Sequence, residues 1–229
     1  MLSVIREGVK TMKNSVKPTN HQSNVKRMLK EALVLFAITL IAGILLGFVH
    51  ELTKDRIEEQ KRLAVQNACQ SVFADEPGKE LRFEQIDYTP SEELLVECET
   101  NSVEIGTVYS ACEENGSQVG YVVQSTSKKG YGGKIVLYVG VKMDGTVSGV
   151  SILEIHETPG LGMEASNVLT PQFAGKRVNR FSFTKSGASA IYEVDAITSA
   201  TITTRAVTNA VNGGVAAALE LMKGGASHE

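Results

Sequence analysis

The chain has 229 residues, of which 42% are hydrophobic and 6% aromatic, so it is long enough for one domain with a core and some appendages. Its formal net charge is −3, and its first thirty residues hold seven Lys or Arg against one acid. From residue 51 onward the chain has 24 acidic and 16 basic side chains, and this excess of negative charge gives no support to nucleic-acid binding.

The first predicted element is an apolar helix that contains the 18 uncharged residues from Ala32 to Val49. At 1.5 Å per residue this run is about 27 Å long, close to the roughly 30 Å hydrocarbon layer of a membrane. A buried helix of a soluble core usually keeps a polar stripe, and a cleaved signal peptide ends in an A-x-A-like site, but this run has neither. We therefore predict a transmembrane helix over residues 31–50. The positive-inside rule places the basic residues 1–30 in the cytoplasm and the main domain outside it.

A charged helical segment follows and is predicted to continue the membrane helix as a stalk over residues 51–75. Its intermittent apolar face consists of four residues: Leu52, Ile57, Leu63 and Ala64. The stretch Asp75-Glu76-Pro77-Gly78 should break this helix, because Pro and Gly in succession favour a turn. Residues 76–229 are then predicted to form one extracytoplasmic domain.

Within this domain the hydrophobic period becomes two, which indicates β-strands. The predicted strands are Leu94 to Cys98, Val103 to Cys112, Val119 to Thr126, Ile135 to Lys142, Val147 to Ile155 and Arg180 to Lys185. Asp144-Gly145 is a tight-turn signal that should pair the fourth and fifth of these as a hairpin. From Thr201 to Met222 the spacing becomes helical again, and Gly213-Gly214 predicts a close approach of the helix backbone to a neighbour. The fold class is α+β, with an antiparallel sheet and flanking helices.

The chain has three cysteines, Cys69, Cys98 and Cys112, whose spacing fits no zinc or iron–sulfur pattern. We predict no metal site. Cys98 and Cys112 lie on neighbouring predicted strands and could form a disulfide in an oxidising exterior, or all three could be small buried thiols.

Two loops rich in Gly adjoin the predicted strands, Lys128–Gly133 and His156–Gly162. The first lacks the helix of a dinucleotide-binding fingerprint, and the sequence has no P-loop motif, but its backbone amides could approach a flat ligand with Tyr131 as a wall. In the second, proline and two glycines shape a turn that can present amides together with Glu157 and Thr158. A hydrolase using His156 and Glu157 is not supported, because no nucleophile accompanies them.

A third loop, Asp195–Thr201, ends in a threonine where the last helix is predicted to begin. The amides and the positive dipole end of a helix N-terminus favour an anion, so a phosphate ester on Thr201 would occupy a ready-made site. The alternative is that Thr198, Ser199 or Thr201 only caps the helix.

Taken together, these features resemble the G subunits of Rnf ion-translocating ferredoxin:NAD oxidoreductase complexes. The matching parts are the basic N-terminus, the single span, T-K-D-R-I from Thr53, G-Y-G-G at 130–133, E-T-P-G-L-G at 157–162 and D-A-I-T-S-A-T at 195–201, the last two being specific. The resemblance implies FMN esterified through its phosphate to Thr201 by a flavin transferase that uses FAD and magnesium. The family usually has glycine where this chain has Ala196 and Ser199.

The resemblance further implies an electron-transfer flavoprotein that belongs to a membrane complex, which oxidises ferredoxin, reduces NAD and exports Na+ or H+. Its partners would be the other Rnf subunits. Besides Thr201, the residues assigned to FMN are Asp195, Thr198, Ser199, Ala200, Gly130, Tyr131, Gly132, Glu157, Thr158, Leu161 and Gly162. No catalytic base is implied, because the flavin supplies the redox chemistry. The alternatives are the corresponding C-type component of the Na+-translocating NADH:quinone oxidoreductase, with the same local chemistry, and a non-redox extracytoplasmic ligand-binding module.

Overall fold

The computed structural model describes residues 21–74 and 81–225, and the chain divides into two units, Met1–Glu58 and Glu59–Glu229. Helix α1 (His21–Ser71) begins in the first unit and ends in the second. The predicted break at residues 75–78 and the first twenty residues of the basic N-terminus lie outside the described part of the chain.

In the first unit, α1 is long and apolar enough to cross a membrane, with a mean hydropathy of 2.8 over its most apolar window and none of that window buried. Large apolar side chains such as Phe36, Ile44 and Leu46 are exposed on it. Apolar surface in water is unfavourable by about 25 cal/mol per Å², so this helix suits a lipid environment. Its polar Thr39 is satisfied internally, since its hydroxyl donates to the carbonyls of Leu35 and Phe36.

The second unit is built on a five-stranded antiparallel sheet, with strands in chain order across it. The strands are β1 (Leu81–Ile86), β2 (Val103–Glu113), β3 (Gln118–Ser127), β4 (Ile135–Lys142) and β5 (Val147–Glu154). This confirms the α+β class and the β4–β5 hairpin. Its turn has Gly145 at a φ of 85°, and the Asp144 carboxylate accepts a hydrogen bond from the Thr146 amide at 2.8 Å.

The predicted strand Leu94 to Cys98 is wrong, because these residues belong to helix α2 (Glu92–Asn101). Ser91 caps this helix by accepting a hydrogen bond from the Leu94 amide at 3.3 Å. Leu94 and Cys98 are four residues apart and both buried, as one face of a helix requires. Cys98 therefore does not lie on a strand beside Cys112, and all three cysteines are free thiols.

Helix α3 (Thr201–Gly225) packs on one face of the sheet. A Cβ on Gly213 would lie 2.9 Å from Val103 Cγ1, and one on Gly214 would lie 2.7 Å from Val139 Cγ2. Both distances are too short for real atoms, so the predicted close approach of the α3 backbone is confirmed, and the neighbour is the sheet.

The other face of the sheet is covered by the end of α1. Ala68, Cys69, Val72 and Phe73 form a buried cluster there with Ala111, Val122 and Tyr138. Gly140 and Gly149 pair across β4 and β5, and their missing side chains leave room for Val72. Of the four residues on the apolar face of the predicted stalk, Leu52, Ile57 and Leu63 are exposed.

The segment between β5 and α3 carries three consecutive short helical turns, Gly162–Glu164, Ala165–Leu169 and Thr170–Gln172. A small parallel pair follows, β6 (Ser182–Thr184) and β7 (Glu193–Asp195). The predicted strand Arg180 to Lys185 is thus present only over Ser182–Thr184. Asn212 of α3 fixes this segment, because its amide group accepts from the Phe181 N–H at 2.7 Å and donates to the Phe181 carbonyl at 3.0 Å.

Candidate functional site

A cavity of about 480 Å³ lies where the three loops meet. Its volume is within the range of small-molecule and cofactor sites. Ten residues line it: Tyr131, Glu157, Thr158, Leu161, Gly162, Ser199, Ala200, Thr201, Ile202 and Thr203. Eight of the twelve residues predicted from the sequence are among them.

The other four predicted residues lie outside the lining. Gly130 and Gly132 stand behind Glu157, and the Gly132 amide donates to its carboxylate at 3.3 Å. Thr198 is exposed on the turn before α3. Asp195 holds a neighbouring loop instead, since its carboxylate accepts from the Ala188 amide at 2.6 Å.

The loop at residues 156–162 is shaped by a tight turn. The Leu161 amide donates to the Thr158 carbonyl at 3.1 Å, with Pro159 and Gly160 at the two central positions. Gly160 has a φ of 73°, so this is the Pro-Gly arrangement that type II turns favour. The turn brings Leu161 and Gly162 to the cavity.

A similar turn leads into α3, with the Ala200 amide donating to the Ile197 carbonyl at 3.0 Å. Ser199 occupies the position equivalent to Gly160 and has a φ of 63°, a left-handed conformation that is unfavourable for residues other than glycine. Thr204 fixes this turn: its buried hydroxyl accepts from the Ile197 amide at 3.1 Å and donates to the Ala200 carbonyl at 2.9 Å.

The N-terminus of α3 opens onto the cavity. The first intrahelical bond joins the Thr204 amide to the Ala200 carbonyl at 2.9 Å, so Ala200 is the N-cap and the amides of residues 201–203 precede the ladder. An alanine methyl cannot accept a hydrogen bond. Within residues 21–74 and 81–225 no side chain accepts from these three amides, so none of the hydroxyls proposed as caps serves that role. The site can receive an external anion.

Glu157 connects the three parts of the site. One carboxylate oxygen accepts hydrogen bonds from the Tyr131 amide at 2.8 Å and the Gly132 amide at 3.3 Å. The other accepts from the Thr203 hydroxyl at 2.9 Å. Thr203 was not predicted, because the sequence does not distinguish it from the hydroxyl residues around it. Ile202, also missed, is 51% exposed on the first turn of α3.

The glycines of the site are required by close packing between its loops. A Cβ on Gly132 would clash with the His156 carbonyl, and one on Gly130 would clash with the Gly133 carbonyl. A Cβ on Gly162 would lie 2.7 Å from the Thr203 hydroxyl. The loop Lys128–Gly133, called the Gly-rich loop from here on, therefore packs closely against the loop at residues 156–162, which in turn packs closely against the start of α3.

The lining suits a flat apolar group joined to an anion. Tyr131 is 71% exposed, and together with Leu161 and Ile202 it supplies apolar surface, while the α3 amides supply positive potential. His156 does not line the cavity and stands 3.8 Å from Glu154. Among the described residues, no group of three or more His, Cys, Asp or Glu is placed to hold a metal ion.

Comparison with known proteins identifies the family to which this chain belongs. An FMN-binding domain matches residues 130–216, which include residues 130–133 of the first loop, the whole of the other two loops and most of α3, and an RnfG N-terminal region matches residues 12–72. The G subunit of the Na(+)-translocating ferredoxin:NAD(+) oxidoreductase complex of Acetobacterium woodii is 33% identical over 83% of this chain and 91% of its own length. The G subunit of the proton-translocating ferredoxin:NAD(+) oxidoreductase complex of Clostridium ljungdahlii is 31% identical over 77% of this chain and 88% of its own length.

Among solved structures, the crystal structure of Shewanella oneidensis NqrC matches with a TM-score of 0.44 and 26% identity, over 52% of this chain and 61% of that chain. The match is to an FMN-binding domain, and the open helix N-terminus and apolar lining of the cavity have the chemistry that suits a phosphate and a planar ring system. The chain belongs to the family of G subunits of Rnf-type ion-translocating oxidoreductase complexes and carries that family's FMN-binding domain.

Proposed function

We propose that this chain is a membrane-anchored electron carrier in which FMN is attached through its phosphate to the Thr201 hydroxyl. The observation that supports this most is the position of Thr201. It is the first residue of α3 and lines the cavity beside a helix N-terminus whose first three amides receive no cap from the side chains of the described residues.

The start of α3 is suited to the phosphodiester that this attachment would create. A diester keeps one negative charge, and the positive end of a helix dipole carries about half an elementary charge. The amides of residues 201–203 could donate to its free oxygens, as could the hydroxyl of Ser199. Lys and Arg are missing from the described cavity lining, so backbone donors take the place of side-chain cations.

The ring system would lie between the Gly-rich loop and the turn after Glu157. Tyr131, Leu161 and Ile202 provide apolar surface for its faces and edges. Bound FMN supplies the electron transfer, while the protein supplies position and electrostatics. Because a covalent tether would prevent loss of the cofactor, it suits a domain outside the cytoplasm.

The relatives suggest the wider assignment. They are named as parts of complexes that couple ferredoxin and NAD to transport of Na+ or H+, and we extend that activity and partnership with the other Rnf subunits to this chain. We place the transmembrane segment at residues 31–50, the basic N-terminus in the cytoplasm and the FMN-binding domain outside. Both relatives are G subunits, which favours this complex over the quinone-reducing sodium pump, and the FMN-binding match disfavours a non-redox module.

Replacement of the attachment residue tests the proposal. The full chain would be co-expressed with a flavin transferase as Thr201→Ala and as Thr198→Ala, a matched loss of a threonine hydroxyl from the same loop but outside the cavity. After denaturing electrophoresis, the wild type and Thr198→Ala should show flavin fluorescence and Thr201→Ala should not. Equal fluorescence from Thr201→Ala would remove this residue from the proposal.

A further inference from the structure

We propose that Glu157 is a positioning residue that holds the Gly-rich loop against the start of α3, and that its negative charge lowers the midpoint potential of the bound FMN. This inference rests on the proposed function, since it concerns the flavin placed in the same cavity. The structure provides two independent grounds, the hydrogen bonds of the carboxylate and the charge of the cavity lining.

The first ground is the set of donors that meet at this carboxylate. The amides of Tyr131 and Gly132 reach it from the Gly-rich loop, at 2.8 and 3.3 Å. The Thr203 hydroxyl reaches it at 2.9 Å from α3, two residues beyond the attachment residue Thr201. Hydrogen bonds to an ionised acceptor are stronger than those between neutral groups, so the carboxylate fixes the spacing of the two walls.

Packing around the side chain supports the same role. A Cβ on Gly130 would lie 2.6 Å from one carboxylate oxygen of Glu157, and one on Gly162 would lie 2.8 Å from the Glu157 Cβ. The side chain therefore occupies space that only glycine backbones leave open. This confinement holds the carboxylate in the orientation that its three donors require.

The second ground is electrostatic. Glu157 is the single charged residue in the described lining of the cavity. Its hydrogen-bond donors are neutral amides and a hydroxyl, and the ion pairs of the described chain do not include it. Reduction of a flavin adds electrons to the ring system. A fixed negative charge beside the ring disfavours the more electron-rich form and so lowers the potential.

Two substitutions, each with a control substitution, separate the effect of the charge from that of the geometry. Glu157→Gln has nearly the same shape: its carbonyl oxygen can still accept from the two amides, and its amide group can donate to the Thr203 hydroxyl, which then becomes the acceptor. Thr203→Val removes the hydroxyl from α3 at nearly the same size, and Thr203→Ser keeps it. Glu154→Gln is the charge control, because Glu154 pairs with Lys134 at 3.0 Å and lies outside the cavity.

The test uses the full chain co-expressed with a flavin transferase and purified in detergent. Covalent FMN per protein is measured by in-gel fluorescence, and the midpoint potential by spectroelectrochemical titration. Glu157→Gln should load FMN like the wild type with a potential shifted upward, and Glu154→Gln should shift it less. Thr203→Val should lower FMN loading several-fold, and Thr203→Ser should restore it.

The outcomes distinguish this inference from the proposed function. A wild-type protein without FMN would overturn the proposed function and this inference with it. A loaded wild type whose potential equals that of loaded Glu157→Gln would overturn the electrostatic role. If Glu157→Gln folds by circular dichroism but does not load FMN, the separation of the positioning role from the negative charge is overturned. Equal loading of Thr203→Val and Thr203→Ser would overturn that role.

Discussion

Replacing Ser199 with glycine should stabilise the second unit of the chain. Ser199 has a φ of 63°, and a left-handed conformation is unfavourable by roughly 1–2 kcal/mol for a residue with a Cβ. Glycine removes this strain, but its greater freedom in the unfolded chain offsets about 0.4–1 kcal/mol of the gain. Ser199 is exposed, and its hydroxyl has no hydrogen-bond partner among the described residues, so the substitution loses little packing. We expect a net gain of about 0.5–1 kcal/mol in the free energy of unfolding.

Urea unfolding followed by circular dichroism measures this gain in protein expressed without the flavin transferase, so that bound cofactor does not contribute. With an m-value of about 2 kcal/mol/M, the midpoint should rise by about 0.4 M. Ser199→Ala keeps the strain and should change little. Ser102→Gly, at a φ of 57° after α2, should gain a similar amount far from the loop. If Ser199→Gly is no more stable than Ser199→Ala, the reasoning from backbone strain is refuted.

Three further predictions concern the rest of the second unit. Gly214→Ala should lower the free energy of unfolding in urea by about 1–3 kcal/mol, because the added methyl would lie 2.7 Å from Val139 in the core. Acid should destabilise the fold through Glu193, whose pKa is held below its usual range by hydrogen bonds from backbone amides of the preceding loop. The ionised Glu193 carboxylate stabilises the fold fully above the pKa it has in the unfolded state, and this stabilisation is lost as the pH falls through its lower pKa in the folded state. Urea unfolding midpoints measured between about pH 6 and 3 would show this loss. Iodoacetamide should label Cys112 before Cys69, since burial raises the pKa of the Cys69 thiol to about 12, and timed peptide mass spectrometry measures the order.

Each of these predictions has a control. Gly224→Ala lies on the same helix, where an added Cβ meets nothing within 4 Å, and should not destabilise. Glu193→Gln should weaken the acid dependence, and unfolded protein should label Cys69 and Cys112 at similar rates. Equal destabilisation at 214 and 224, an unchanged acid profile in Glu193→Gln, or rapid labelling of native Cys69 would contradict the respective prediction.

The parts of the fold that the sequence predicts well are those encoded by local patterns. Asp144-Gly145 between two β-like runs predicts the hairpin, because the turn needs a glycine at positive φ and the pattern places one there. The run Ala32 to Val49 predicts a helix from its length and lack of charge. The Gly213-Gly214 pair predicts close packing, since a glycine pair inside a helix is otherwise unfavourable.

The parts that were missed have either an ambiguous local pattern or contacts between residues distant in the sequence. Leu94 to Cys98 is a short apolar run whose length fits a strand, and its helix is revealed by the cap at Ser91 and by burial on one face. The packing of Val72 against Gly140 and Gly149 joins segments that no periodicity connects.

In the candidate site, too, the features with a local sequence pattern were predicted and those that depend on distant contacts were not. Its three loops were recognised from their composition and from motif resemblance, and the structure brings them around one cavity. The bond between Glu157 and Thr203 spans 46 positions and has no local signature. Asp195 belongs to the motif but holds the loop at Ala188 instead of lining the cavity, because a motif does not distinguish residues that shape a turn from residues that face a ligand.

The central claim is a covalent bond between the Thr201 hydroxyl and the phosphate of FMN. Trypsin should release residues 186–205 as one peptide, which contains Thr201 together with Ser199, Thr203 and Thr204. Fragmentation mass spectrometry of this peptide, from full-length protein matured by an active flavin transferase, localises any modification to one residue. We predict one FMN on Thr201. An unmodified peptide, or FMN on another residue, would contradict the account.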